Sequence, residues 1–276
     1  MSKPTIFLVG LLIMIVFYYL FLENVGKKTK KRRVTEDYIR PSEWLIEAHR
    51  MQVSSRRGFL SQIKDKTSQF GYGHLYNNLA PEVFCAEKIK VGTTDDGGKW
   101  MCSPQNVPED CVIFALGISA AITFEVDIQK FSDQRCRVIS VDSGQQPQSV
   151  IDALTKIRGV VIKTFVSNVD QEGKMTMDTI LKKNDASSVE ILKIDIEGSE
   201  FQAMEPFLEK YTPAQIMIEV HGEPQQAYDF LKMMSRKGYL LFNYEINGVY
   251  HTLCEYAFIH EDQLERYKAT LLAKYL

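Results

Sequence analysis

From residue 111 onward, short apolar runs alternate with amphipathic stretches, and this rhythm restricts the fold more than any other feature of the chain. Strands that alternate with helices predict a parallel α/β sheet. The predicted strands lie at residues 112–116, 137–141, 160–166, 191–196, 214–220, 239–244 and 255–260. The predicted helices lie at residues 121–130, 147–157, 177–183, 199–210 and 225–237. The expected fold class is therefore α/β, with seven strands in the sheet.

The fourth predicted strand ends in acidic residues, in the run Ile191-Leu192-Lys193-Ile194-Asp195-Ile196-Glu197-Gly198-Ser199-Glu200. Its apolar first part is typical of a buried parallel strand. Asp195 and Glu197 follow at the carboxyl end, which is the edge where open α/β sheets bind ligands. A helix cap with solvated acids is the alternative. Because the acids interrupt an apolar strand, a functional role is favoured.

This run resembles the Lys-x-Asp-x-Glu-Gly-x-Glu signature of the FkbM-type S-adenosylmethionine-dependent methyltransferases. A second stretch, Asp95-Asp96-Gly97-Gly98-Lys99-Trp100, resembles the Asp-Gly-Gly-Lys-Trp motif of methyltransferase-like, membrane-anchored animal relatives of that family. The resemblance covers residues 84–260. It implies a Rossmann-like methyltransferase sheet, S-adenosylmethionine as the cofactor, and O-methylation of a glycan or a small hydroxylated acceptor.

Three residues are candidates for cofactor binding. Gly117 ends the first predicted strand, where a missing side chain lets the backbone approach a ligand closely, unless it only forms a turn. Asp142 ends the second strand, where an acid can accept hydrogen bonds from both ribose hydroxyls. A turn residue ahead of Gly144 is the alternative there. Glu125 is assigned through the resemblance, as an acid after an aromatic residue in the membrane-anchored relatives, and is otherwise a solvated helix residue.

Further candidates lie at the end of the fifth predicted strand, in Glu219 and His221. If the fourth and fifth strands are neighbours, these side chains meet Asp195 and Glu197 at one edge of the sheet. A histidine beside carboxylates suits general-base catalysis, and oxygen ligands with an imidazole also suit a divalent metal. A structural histidine is the alternative. The predicted catalytic residues are Asp195, Glu197 and His221, and the metal question stays open.

Two departures from the family pattern keep a second hypothesis open. Ala115 stands where methyltransferase loops usually carry an acid, and Ala120 and Ala121 stand where further glycines are expected. The second hypothesis is a methyltransferase-fold protein that has lost catalysis and serves as a membrane-tethered binding module. A nicotinamide-dependent oxidoreductase is disfavoured, because no G-x-G-x-x-G follows the first strand.

The distribution of charge argues against nucleic acid as a partner. The formal net charge of the whole chain is −2, but a basic run occupies residues 27–33. From Val34 onward the chain carries 26 basic and 34 acidic residues. Nucleic-acid binding requires a basic stripe, which an acidic body of this kind does not provide.

The five cysteines include no C-x-x-C pair, which argues against a zinc site. Cys111 and Cys136 lie in or beside predicted strands and are expected to be core thiols. Cys85 and Cys102 flank a turn-rich segment and can pair if the compartment is oxidising.

Residues 5–22 form an uncharged, apolar stretch that is long enough to span a bilayer as a helix. No A-x-A-like cleavage site follows, so an uncleaved signal anchor is predicted, with a cleaved signal peptide as the alternative. The six basic residues after this stretch would keep the domain cytosolic by the positive-inside rule. The relatives that the chain resembles are instead secretory-pathway proteins, and the side of the membrane stays open.

The predicted organisation has three parts. A transmembrane signal anchor occupies residues 1–26, a basic juxtamembrane and helical stem occupies residues 27–70, and the methyltransferase-like domain occupies residues 71–276. The expected location is the endomembrane system, either the ER or the Golgi, with a single membrane pass.

Overall fold

A computed structural model describes residues 39–64, 70–119 and 121–276 of the chain. The predicted anchor and the basic run lie outside the described residues. Within the described part of the chain, no helix is both long and apolar enough to cross a bilayer. The described residues fall within one unit, Ile39–Leu276.

The described residues form seven α-helices and thirteen strands. The helices are α1 (Glu43–Leu60), α2 (Tyr72–Asn78), α3 (Thr123–Phe131), α4 (Gln148–Lys156), α5 (Met177–Lys183), α6 (Glu200–Leu208) and α7 (Pro224–Arg236). The strands are β1 (Val83–Cys85), β2 (Lys88–Val91), β3 (Lys99–Cys102), β4 (Val112–Leu116), β5 (Arg137–Asp142), β6 (Gly159–Lys163), β7 (Phe165–Val166), β8 (Lys174–Met175), β9 (Ile191–Ile194), β10 (Gln215–His221), β11 (Tyr239–Ile246), β12 (Leu253–His260) and β13 (Ala269–Leu271).

Seven of these strands form the central sheet, in the order β11-β12-β10-β9-β4-β5-β6. Strand β12 runs antiparallel to β10 and β11, whereas β10, β9, β4, β5 and β6 pair in parallel. The α/β prediction is confirmed, and the predicted helices α3–α7 end within two residues of their observed bounds. The third predicted strand is divided, because β6 pairs with β5 whereas β7 leaves the sheet and pairs with β8.

The core lies on both faces of the central sheet. Along β4, Phe114 and Leu116 belong to one buried cluster and Ile113 belongs to the cluster on the opposite face. This follows from the two-residue period of a strand, which sends successive side chains to opposite faces. Burying each side chain of this size stabilises the fold by about 1.5–3 kcal/mol.

The hairpin of β2 and β3 lies against the central sheet and was not predicted. The side-chain amide of Gln215, at the start of β10, accepts from the Cys102 backbone N–H at 2.9 Å and donates to the Cys102 carbonyl at 2.7 Å. These two bonds hold the end of β3 beside the start of β10. The beginning of β3, which is Lys99, is thereby directed toward the carboxyl end of β10.

Four of the five cysteines are paired. The Cys85–Cys102 disulfide joins β1 to β3, as the sequence allowed. Cys111 and Cys136 also form a disulfide, so the expectation of free core thiols there is wrong. Both are buried as expected, but the ends of β4 and β5 bring them together, since Arg137 N–H donates to the Cys111 carbonyl at 2.9 Å. Cys254 is a buried free thiol, and burial raises its pKa to about 12.

Candidate active site

Strands β9 and β10 are parallel neighbours, with Ile194 opposite Ile218. Their carboxyl ends therefore lie side by side, as the sequence predicted. Asp195 Oδ1 lies 3.9 Å from His221 Nε2, and Glu219 Oε2 lies 3.8 Å from the same nitrogen. One ligand atom from each of these three residues lies within 4.8 Å of the others. Asp195, Glu219 and His221 are called the acid–imidazole cluster below.

The third predicted catalytic residue, Glu197, is not in this cluster. Its side chain is exposed, and its backbone has a φ of +49°, in the left-handed region. Among the described residues, neither group of converging ligand atoms includes it. The loop after β9 turns sharply at this residue, so the two-residue alternation that aligned Asp195 with Glu197 in the prediction ends there. Its catalytic role stays a prediction.

Glu200 fixes the orientation of His221. It lies in the first turn of α6, is completely buried, and accepts from the backbone N–H of Gly198 and of His221, both at 2.8 Å. Its Oε1 also lies 3.3 Å from His221 Nδ1. Since a carboxylate only accepts, Nδ1 carries the hydrogen, and Nε2 is left facing Asp195 and Glu219. The hydrogen bond to Glu200 also raises the pKa of His221.

Sequence reasoning missed three charged residues beside the cluster. Lys99 is buried, forms an ion pair with Glu255, and lies 3.8 Å from Asp195 Oδ2. Asp96, Glu219 and Glu255 each offer an oxygen within 4.8 Å of the others. Asp96 and Lys99 belong to the motif that carries the family resemblance, but the motif gave them no role. Glu255 is opposite Glu219 in the antiparallel β10–β12 pair. The sequence pattern did not predict this pairing.

The pKa values in this region reflect burial and the crowding of carboxylates. Burial, together with the charges of Asp195 and Glu255, raises the pKa of Glu219 to about 7. Burial also raises the pKa of Glu255. For Lys99, burial acts to lower the pKa, but the ion pairs with Glu255 and Asp195 outweigh it and raise the pKa. Lys99 therefore stays charged, and Glu219 can take up or release a proton near neutral pH.

On the cofactor side, Asp142 lies at the end of β5. Its Oδ2 accepts from the Ser119 N–H at 2.8 Å, in the loop after β4, and its Oδ1 accepts from the Gly144 N–H at 2.7 Å. The bond to Gly144 is the turn interaction that the sequence offered as the alternative. Each oxygen keeps a second lone pair, so the carboxylate can still accept from two hydroxyl groups. The turn role and a ribose role are therefore compatible.

Gly117 follows β4 with a φ of +74°. A β-carbon at this position would lie 1.7 Å from the Asp195 carbonyl oxygen, so no other residue fits without a backbone shift. The backbone that approaches this glycine is therefore that of Asp195. The same contact places the loop after β4 directly beside the acid–imidazole cluster.

Glu125 lies in the first turn of α3 and is completely buried, so the alternative of a solvated acid is wrong. Both of its carboxylate oxygens lack a hydrogen-bond partner among the described residues. The buried ammonium of Lys193 is its nearest charge of opposite sign and donates to the Gly117 carbonyl. Burial raises the pKa of Glu125 and lowers that of Lys193.

These residues fit the cofactor that the resemblance implies. Asp142 is a half-buried acid at the end of β5, which pairs with β4. Gly117, which follows β4, lies at the same edge of the sheet. The Glu125 carboxylate accepts no hydrogen bond from the described residues and is attracted by the charge of Lys193, which donates to the Gly117 carbonyl. Acidic groups with free lone pairs suit a cationic molecule that carries ribose hydroxyls.

Solved structures of other proteins are similar to part of this chain. The chain is similar over part of its length to a precorrin-6y C5,15-methyltransferase from Geobacter metallireducens, at 12% identity, a TM-score of 0.39, and coverage of 57% of this chain and 83% of that one. It is similar to Aeropyrum pernix fibrillarin with natively bound S-adenosyl-L-methionine, at 14% identity, a TM-score of 0.40, and coverage of 56% and 68%. It is also similar to the fibrillarin of Methanococcus jannaschii, at 11% identity, a TM-score of 0.41, and coverage of 66% of this chain and 96% of that one. No curated protein matches the sequence.

A family model described as a methyltransferase domain matches residues 39–260, which is most of the chain. The match includes every strand of the central sheet and all residues of the candidate site. Family and fold together imply S-adenosylmethionine as the cofactor. The chain belongs to this methyltransferase-domain family.

Proposed function

We propose that the protein is an O-methyltransferase of the FkbM type, close to the membrane-anchored animal relatives, that uses S-adenosylmethionine to methylate a glycan or a small hydroxylated molecule. The observation that carries the proposal is the acid–imidazole cluster, which lies against the loop that follows β4. A cofactor held by Asp142 and this loop has a proton acceptor beside it. The alternative of an inactive binding module is not favoured, because such a module needs no cluster of this kind.

The residues divide the work as follows. When bound, S-adenosylmethionine supplies an activated methyl group on its sulfonium. Asp142, held by the backbone N–H groups of Ser119 and Gly144, would accept hydrogen bonds from the ribose, and the loop at Gly117 would line the cofactor. His221 Nε2, the ring nitrogen on the side away from Glu200, would receive the proton of the acceptor hydroxyl. The acceptor oxygen would take the methyl group as the carbon–sulfur bond breaks, and the sulfonium would leave as a neutral thioether. Alignment of the reacting atoms supplies the rest of the rate.

The nature of the acceptor follows from the groups that face it. Carboxylates accept hydrogen bonds and donate none when ionised, so Asp195 and the exposed Asp96 suit an acceptor with several hydroxyl groups. A phosphorylated or nucleic-acid acceptor is disfavoured by the same excess of negative charge. A sugar, free or within a glycan, matches both requirements.

The protein is further proposed to be a single-pass endomembrane protein with its domain on the lumenal side. The two disulfides support an oxidising compartment, in which such bonds persist. A lumenal domain is the opposite of what the positive-inside rule predicts from the basic run at residues 27–33. Protease treatment of intact microsomes tests it, because a lumenal domain stays intact until detergent is added. Digestion without detergent would place the domain in the cytosol.

The methyl-transfer proposal is tested with the full-length chain and labelled S-adenosylmethionine, over a panel of glycans and small hydroxylated acceptors. Cofactor binding is measured in parallel by calorimetry. His221→Gln should lower turnover by about 10²-fold or more and leave cofactor affinity nearly unchanged. His49→Gln, on α1, is the matched control and should retain activity. Cofactor binding without any transfer by the wild type would support the binding module instead.

A further inference from the structure

Three ligand atoms converge at the carboxyl edge of β9 and β10 without making hydrogen bonds to one another. The distances from His221 Nε2 to Asp195 Oδ1 and Glu219 Oε2 are 3.9 and 3.8 Å. These are too long for hydrogen bonds. Two metal–ligand bonds of about 2.0–2.2 Å each can span such a separation. The spacing is therefore that of groups arranged around a small cation.

Glu219 is an independent indication that something binds here. Its side chain is 94% buried, since only 6% is exposed. It nevertheless accepts no hydrogen bond from any described residue, although it points at His221 and lies within reach of Asp195. Its 3.8 Å contact with His221 Nε2 is too long to supply a hydrogen bond. The missing partner is expected to come from outside the chain.

The ring of His221 has the orientation and the hydrogen-bond partner that are usual for a metal-binding histidine. Its Nδ1 donates to the buried Glu200 carboxylate, which fixes the ring and leaves the Nε2 lone pair directed at Asp195 and Glu219. A carboxylate behind the ring is the usual partner of metal-ligating histidines, because it sets the tautomer and raises the basicity of the nitrogen. Glu200 is held in turn by the backbone N–H groups of Gly198 and His221.

Lys99 does not fill this position. Its ammonium pairs with Glu255 and approaches Asp195 through Oδ2, whereas the Asp195 oxygen that faces His221 is Oδ1. The carboxyl groups of Asp195 and Glu255 are the ion-pair partners of this ammonium, and Glu219 has no ion pair with it within 4.0 Å among the described residues. Asp195 Oδ1, Glu219 Oε2 and His221 Nε2 therefore face one another with no lysine between them, and a divalent ion at that point would be attracted by both carboxylates.

We infer that Asp195 Oδ1, Glu219 Oε2 and His221 Nε2 bind a divalent first-row transition-metal cation. Two carboxylate oxygens and one imidazole suit ions such as Mn²⁺ or Fe²⁺, whereas Mg²⁺ prefers oxygen ligands alone. Three protein ligands leave open positions for water or for an acceptor oxygen. The inference bears on the proposed function, because a cation on Nε2 would take the lone pair that serves there as the base. With the cation bound, a hydroxide at one of its open positions would instead take the proton of the acceptor hydroxyl and become water. Cation binding is measured without cofactor or acceptor, so its failure leaves the methyl-transfer proposal, with His221 as the base, intact.

The test uses the untagged full-length chain, because a polyhistidine tag would bind the same ions. Mn²⁺ is titrated into metal-free protein and followed by electron paramagnetic resonance, in which the signal of the free aqua ion falls as the ion binds. One site per chain is expected. Pulsed resonance on the wild-type complex should show the coupling of one imidazole nitrogen to Mn²⁺, a readout that requires no mutant.

Glu219→Gln and His221→Gln should each weaken Mn²⁺ binding at least tenfold. Asp229→Asn, which removes an acid of α7 from outside the cluster, is the charge-matched control and should bind as the wild type does. Circular dichroism verifies that each variant is folded. The inference is overturned if millimolar Mn²⁺ does not bind, if the bound ion shows no nitrogen coupling, or if both folded cluster variants keep wild-type affinity.

Discussion

Two lysines are buried in the candidate site, Lys99 on the acceptor side and Lys193 on the cofactor side, and they respond to burial in opposite directions. The side chain of Lys99 pairs with Glu255 and approaches Asp195, and these contacts raise its pKa despite burial. Lys193 is influenced chiefly by one acid, Glu125, and is repelled by Lys99, so burial prevails and its pKa falls. Lys99 forms a direct ion pair with a carboxylate, whereas Lys193 donates to a backbone carbonyl, and this difference decides which lysine keeps its charge.

The difference extends to the two halves of the site. On the acceptor side, charged groups come from the carboxyl ends of β9 and β10 and from the starts of β12 and β3, and the buried ammonium of Lys99 forms ion pairs with two of the carboxyl groups. On the cofactor side, the carboxylate of Asp142 is held by backbone N–H groups, and the buried Glu125 and Lys193 both shift toward their neutral forms. The acceptor side therefore contains ion pairs between charged side chains. On the cofactor side, backbone N–H groups hold the Asp142 carboxylate.

The largest expected effect is a loss of stability that is greater on replacing Lys99 than on replacing Lys193. Lys99→Met leaves Glu255 and Asp195 without their buried partner and should lower the free energy of unfolding by about 3–5 kcal/mol. Lys193→Met removes a hydrogen bond to the Gly117 carbonyl but no direct ion pair among the described residues, and should cost about 1–3 kcal/mol. Urea unfolding of both variants measures the difference. Equal losses, or a larger loss for Lys193→Met, would contradict the comparison.

The next effect concerns the contact between the two halves. In Gly117→Ala the added β-carbon would clash with the Asp195 carbonyl oxygen, 1.7 Å away. The substitution should lower the free energy of unfolding by about 3 kcal/mol. Gly173→Ala is the matched control, because its φ is +72° but nothing lies within 4 Å of the added carbon. It should cost about 1 kcal/mol, from the left-handed backbone alone. Similar costs at both positions would mean that the close approach at Gly117 is not rigid.

On the cofactor side, Asp142→Ala should weaken S-adenosylmethionine binding by about 1.5–3 kcal/mol, since a charged acceptor is lost. Calorimetry measures the affinity, and Asp152→Ala, on α4, is the control that should leave it unchanged. A folded Asp142→Ala protein with wild-type affinity would remove the ribose assignment.

The smallest effect is expected at Glu197. Because its side chain is exposed, Glu197→Gln should change the free energy of unfolding by no more than about 0.5 kcal/mol. Turnover should fall less than about threefold, whereas Glu219→Gln should lower it at least tenfold. Steady-state rates with one acceptor compare the two. A large loss at Glu197 together with no loss at Glu219 would support the catalytic role that the sequence predicts for Glu197.

Much of the fold could be predicted because its signals are local. The apolar runs of the seven strands and the helical patterns between them follow from residue periods that a single stretch contains. The meeting of Asp195 with His221 was also predictable, since parallel neighbours share one edge. The small strands β1, β2, β3 and β13 were missed, because each has only three or four residues and little periodicity.

The sequence by itself determined the α/β order, the acids at the strand ends and the family motifs, because these depend on neighbouring residues. Tertiary structure decided which charges meet. Lys99 and Glu255 are separated by 156 residues, and the Cys111–Cys136 bridge depends on the alignment of β4 with β5. Only the folded chain decided that Glu125 and Lys193 are buried and that Glu197 turns away. Burial and long-range pairing are properties of the packed sheet, and they set the charge of each group.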